Sequence, residues 1–153
     1  MKDVAALIEE LDAEGEKGPR RAIASLKRIG RPALKPLLEA ANRPNTRVRR
    51  WAMEALAAVG GPGAAKAICK GARDPAMSVR YHALQALLHT RDPQAVSILI
   101  RLLKDESGGI RINAVDGLAK LGSKRAVPAI RKALKDSKDY VRRRARIALT
   151  ALA

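Results

Sequence analysis

The feature that most constrains this chain is a period of 31 residues. Four segments align: Val48-Arg49-Arg50-Trp51-Ala52-Met53-Glu54-Ala55-Leu56, Val79-Arg80-Tyr81-His82-Ala83-Leu84-Gln85-Ala86-Leu87, Ile110-Arg111-Ile112-Asn113-Ala114-Val115-Asp116-Gly117-Leu118 and Val141-Arg142-Arg143-Arg144-Ala145-Arg146-Ile147-Ala148-Leu149. Arg49, Arg80, Arg111 and Arg142 stand 31 residues apart each time. A degenerate earlier copy covers 18–26, with Ala22 in the alanine column and Leu26 in the leucine column. Within each copy the Val/Ile, Ala, small and Leu positions fall at i, i+4, i+7 and i+8. That is one face of an α-helix, not the alternation of a strand. Turn signals close these helices at Gly30-Arg31-Pro32, Gly60-Gly61-Pro62, Arg91-Asp92-Pro93 and Gly122-Ser123-Lys124. Glycine past a helix end and proline at the next start are stop and start signals. A second apolar helix follows at 64–72, 95–103 and 126–134. Residues 1–17, with Val4, Leu7, Ile8 and Leu11 on one face, supply the first helix of an extra leading unit.

Composition supports helices throughout. Aromatics are 2% of the chain, with no Phe, so the core is built from Ala, Leu, Ile and Val. Ala and Leu with Lys, Arg and Glu are helix formers, and the residues favoured in strands are scarce. Neither helix of a pair buries its apolar face alone, so the pairs stack. The expectation is an all-α, right-handed α-solenoid of about five helix pairs and about ten helices. It forms one domain over 1–153, with units near 1–30, 31–60, 61–91, 92–122 and 123–153.

The repeat resembles the HEAT family. The resemblance rests on a proline in the first helix (Pro36 and Pro128), an aspartate after it, and a Val-Arg opening to the second helix. The Asp–Arg spacing of six recurs as Asp74/Arg80, Asp105/Arg111 and Asp136/Arg142. The short unit is most similar to the variety in phycocyanobilin lyase subunits, and the likeness covers nearly all of the chain. Lys66 and Ser97 replace the proline, Arg43 stands where Asp is expected, and Pro19 replaces the first arginine. The resemblance implies a structural ladder, in which each Asp caps the following helix and meets arginines of its own and the adjoining repeat. It implies little about partners, because such architectures host unrelated functions.

The formal net charge is +16, from 31 Lys+Arg against 15 Asp+Glu. Residues 1–16 carry −5, which leaves +21 on the remainder. An excess of that size attracts polyanions: nucleic acid, a ribonucleoprotein, or an acidic protein surface. One and two places after the ladder arginine lie the variable columns, which the family resemblance puts on the concave side. The strip there holds Arg20, Arg21, Arg50, Trp51, Tyr81, His82, Arg143 and Arg144. Aromatics among arginines stack on bases while the cations meet phosphate. Two other readings stay open: Trp51 and Tyr81 wedged between helices, or an anchor cluster for a protein partner. The basic stretch over 120–138 reads mostly as a solvated face.

No catalytic constellation appears. His82 and His89 are two helical turns apart, too far to share a metal as an i, i+4 pair would. No carboxylate pair, glycine-rich phosphate loop or nucleophile motif is present. Cys69, the single cysteine, reads as a packing residue and makes no internal disulfide, which fits a reducing cytosol. No apolar run approaches the ~18 residues of a membrane span, and 1–11 lacks a signal-peptide layout. The expectation is a cytoplasmic, non-catalytic binding scaffold without metal, cofactor or small-molecule substrate. Its partner is nucleic acid first, with a protein adaptor for an acidic surface as the alternative.

Overall fold

The computed structural model describes residues 3–90 and 92–153. Short and long helices alternate along them: α1 (Val4–Glu9), α2 (Lys17–Ile29), α3 (Leu34–Ala40), α4 (Thr46–Val59), α5 (Ala64–Gly71), α6 (Met77–His89), α7 (Ala95–Leu102), α8 (Gly108–Lys120), α9 (Val127–Ala133) and α10 (Asp139–Leu152). No strand occurs among the described residues. The chain divides into two compact units, Met1–Thr90 and Arg91–Ala153. The first holds three helix pairs, with α4 packed against both α2 and α6. The second holds two, with α8 packed against α10 and each short helix against its long partner.

The alanine column decides the register. Ala52, Ala83, Ala114 and Ala145 are each 0% exposed, because a methyl side chain lets neighbouring helix backbones approach closely. Val48, Val79, Ile110 and Val141, four residues earlier, are buried on the same face. Long helices stop where the glycines predict. Gly30 and Gly60 take φ of +71° and +69°, and their N–H groups close on the carbonyls of Leu26 and Leu56 at 2.9 and 2.8 Å. That conformation suits glycine, which has no Cβ to clash. Arg91, of the expected Arg91-Asp92-Pro93 turn signal, and Met1 and Lys2, of the segment 1–17 expected to be helical, lie outside the described residues. In that turn Asp92 Oδ1 accepts the Gln94 N–H at 2.7 Å.

The leading unit differs from expectation. Residues 1–17 do not form one helix: α1 ends at Glu9, a 3₁₀ turn covers Glu10–Asp12, and α2 begins at Lys17. Ala13 turns extended and ends the run, and Gly15 follows at a positive φ of +72° before α2 begins. A 3₁₀ turn, Lys124–Ala126, likewise precedes α9.

The ladder is visible within each unit. Arg49 Nε and Nη2 grip the Asp74 carboxylate at 2.9 and 3.1 Å. Arg111 does the same to Asp136 at 2.7 and 2.8 Å. The Nη1 groups of Arg49, Arg80, Arg111 and Arg142 plug carbonyls of the preceding turn, such as Asp74 O from Arg80 and Asp136 O from Arg142. The aspartates do not cap the helix proper. Asp74, Asp105 and Asp136 each accept the N–H two residues on, from Ala76, Ser107 and Lys138, all at 2.9 Å. These are Asx turns that lead the chain into the helix.

Candidate functional site

Six of the eight strip residues fall in Met1–Thr90, carried by α2, α4 and α6. Trp51 is 1% exposed. Packing of α4 between α2 and α6 closes over the flank that lies off its alanine stripe, so the indole is part of the core. Of the readings left open for Trp51, its burial fits the ring wedged between helices and not stacking on nucleic-acid bases, because the ring is closed to solvent. Two guanidinium carbons lie within cation–π range of this ring, Arg20 at 5.6 Å and Arg50 at 5.4 Å from its centroid. His82 meets the indole edge-on at 4.9 Å, and Tyr81 meets His82 at 5.7 Å. Tyr81 is 40% exposed and keeps an open aromatic face.

Acids partner some of these cations. Arg20 holds Glu16 Oε2 through Nε and Nη2 at 3.2 and 3.0 Å, in the open. His82 Nδ1 lies 2.7 Å from Glu54 Oε1, off the line of a well-directed hydrogen bond. Burial alone would raise the Glu54 carboxyl. The His82 contact and the nearby Arg20 and His89 charges outweigh it and hold Glu54 below its ordinary value. Arg50 differs from its neighbours: it meets no carboxylate among the described residues, and its Nε is buried without an acceptor. The Trp51 indole N–H is also buried without one. Arg21 is exposed.

Beside Arg50 opens a groove of about 510 Å³ lined by Asp12, Asn45, Thr46, Arg47, Arg50 and Ser78. Sequence reasoning missed it. Arg47 precedes the repeat column, and Asp12 belongs to the irregular leading unit, so periodicity flags neither. Asn45 caps α4 through Oδ1, accepting from the N–H groups of Arg47 and Val48 at 2.9 and 3.3 Å. Arg47 Nη1 reaches the Asp12 main-chain carbonyl at 2.6 Å and its Oδ1 at 3.4 Å.

Arg143 and Arg144 belong to Arg91–Ala153, on α10. Both are exposed and both meet acids: Arg143 Nη2 with Asp139 at 3.0 Å, Arg144 Nε with Asp116 at 3.2 Å. Burial pushes the Asp116 carboxyl up, only partly offset by Arg144. Ile147, one turn further along α10, is 62% exposed. Among the described residues no three His, Cys, Asp or Glu side chains gather as metal ligands, and no helix is long and apolar enough to cross a membrane.

The HEAT repeats profile matches residues 4–87 and again 65–150. The chain belongs to the HEAT-repeat family. No curated protein matches it. Among solved structures it is similar to the complex of CpcE and CpcF of phycocyanin lyase from Nostoc sp. PCC7120, at 24% identity and TM-score 0.78, covering 95% of this chain and 96% of that one. It is also similar to a designed armadillo repeat protein in complex with the peptide (KR)4, at 22% identity and TM-score 0.66, covering 98% of this chain and 82% of that one. Computationally designed armadillo repeat proteins for modular peptide recognition match at 24% identity and TM-score 0.62, with 98% and 82% coverage. At these identities the likeness concerns the fold, that of repeat solenoids.

Proposed function

We propose that this HEAT protein is a non-catalytic docking module whose partner is an acidic protein segment. The observation that carries the reading is the burial of Trp51 beneath Arg20 and Arg50. A guanidinium held on a closed ring is an anchor for a carboxylate, whereas stacking of bases needs an open ring, and in the first unit's strip only Tyr81 offers one. Trp, Tyr and Arg are the residue types enriched where proteins anchor partners. Relatives by fold support a protein or peptide partner, though not its charge: one structure is a complex of two proteins, and another holds a basic peptide. A chain of net charge +16 calls for the opposite charge in its partner. The same reading takes the five pairs as one cytoplasmic module over 1–153, working without cofactor or metal.

Nucleic acid is the second reading. The exposed Arg143 and Arg146 and the excess of +21 beyond residue 16 favour it. Fluorescence anisotropy separates the two readings. A labelled glutamate-rich peptide should bind more tightly than single-stranded or duplex oligonucleotides at about 0.15 M salt, where non-specific phosphate contacts have weakened. Tighter oligonucleotide binding at that salt transfers the assignment to nucleic acid.

A further inference from the structure

We propose that the groove between the amino ends of α4 and α6 is a carboxylate-binding subsite, centred on Arg50, for an aspartate or glutamate side chain of the partner. This deepens the docking reading above and rests on it. Three observations converge. Arg50 is half-buried, lies over the buried Trp51 ring with its guanidinium carbon 5.4 Å from the centroid, lines the groove, and meets no acid among the described residues. With Nε sealed, the Nη1/Nη2 end of the guanidinium is the fork left for a ligand. Because the side chain is half-buried over the ring, with its Nε sealed, less freedom is lost when a carboxylate docks than on an exposed arginine.

Besides the Asp12 carboxylate, which Arg47 engages, the rest of the groove offers donors. Asn45 spends Oδ1 on the α4 cap, which leaves its Nδ2–H₂ as a donor. Thr46 and Ser78 add hydroxyls. Two arginines against the Asp12 carboxylate leave the lining with one positive charge. That balance suits one carboxylate. A phosphate dianion would bring a second negative charge beside Asp12, where like charges repel. Arg20 and Arg50 also share one indole, and Glu16 neutralises only the first. A carboxylate on Arg50 relieves the repulsion between them. Along α6 from Ser78, Met77 and Tyr81 are 54% and 40% exposed, one turn apart on a single face. The partner residue next to the acid is therefore apolar.

The test uses the full chain and a blocked synthetic peptide alternating Glu and Leu, with Gln-Leu and phosphoserine-Leu counterparts and a single-stranded oligonucleotide. Titration calorimetry reads affinity, and emission of Trp51, the only tryptophan, reports the site. Arg50→Gln should weaken the Glu peptide about tenfold or more, as loss of a charged fork does. Arg28→Gln removes the same charge from an exposed position elsewhere and should change affinity less than about twofold. Arg50→Lys keeps the charge and the fold but loses the planar fork, so affinity should still fall severalfold. Equal losses from Arg50→Gln and Arg28→Gln overturn the subsite and leave the docking reading intact. An unaffected Arg50→Lys overturns it equally. Failure of the unsubstituted protein to bind the Glu peptide even at low salt overturns the docking reading itself. Tighter binding of the phosphoserine peptide or the oligonucleotide overturns the choice of a carboxylate.

Discussion

Trp51 gathers Arg20, Arg50 and His82 around one ring that solvent hardly touches. Removing it therefore tests stability before binding. Trp51→Ala leaves a core cavity and should destabilise the protein by about 3–5 kcal/mol in denaturant unfolding. Trp51→Phe should lose much less, because the indole N–H it deletes has no acceptor to lose. A Trp51→Ala protein as stable as the parent would mean that the ring is not core. The ladder makes a pH prediction. The Arg111 fork, against the opposing effect of burial, holds the Asp136 carboxyl below its ordinary value, with the Lys138 N–H helping. A depressed folded pKa gives stability that is fully present above the unfolded value of about 3.9 and is lost as pH falls through the folded one. Asp136→Asn should therefore flatten the acid side of the stability curve. It should also remove roughly 3 kcal/mol at neutral pH by leaving Arg111 uncompensated. Thermal melts between about pH 2 and 7 decide it. The spacing of six between Asp and Arg is legible in the sequence. The burial of Trp51 is legible only as one of several readings, because a single-face pattern describes one contact, and α4 has neighbours on both flanks.

At the scale of elements, short helices of 6–8 residues support long ones of 13–14. The long helices meet through alanines, so their separation is set by a methyl group. Ala83→Leu adds volume where none is free and should destabilise by about 1–3 kcal/mol through overpacking. A melt unchanged by that substitution would show that α6 has room to move aside. Period and register were readable because every repeat restates them: four alanines in one column outvote any local ambiguity. The leading unit was less readable for the same reason. Its helix pattern in 1–17 has no full copy to check it against, and the helical run ends at Asp12, with Ala13 extended, before the glycine at 15 is reached. The groove beside Arg50 was invisible to periodicity, since Asp12 and Arg47 meet across 35 residues outside the repeating columns.

Across the whole molecule, the charge of +16 and the groove's Arg50 act at different ranges, and binding kinetics separate them. Unpaired surface charge acts over a Debye length of about 10 Å at 0.1 M salt, so it guides an acidic partner's approach. Contact inside the groove acts only once the partner has arrived, and so governs its departure. Stopped-flow mixing with a Glu-rich peptide should show an association rate that falls about tenfold or more as salt rises from low to high, with dissociation changing far less. Exposed lysines of the second unit should affect only the first rate. Lys124→Gln with Lys132→Gln should slow association and reduce its salt dependence, while Arg50→Gln should mainly speed dissociation. The signal from Trp51 follows both phases without a label. If salt acted on dissociation instead, the surface charge would be part of the bound contact rather than a guide to it. The functional interface would then extend well beyond Arg50.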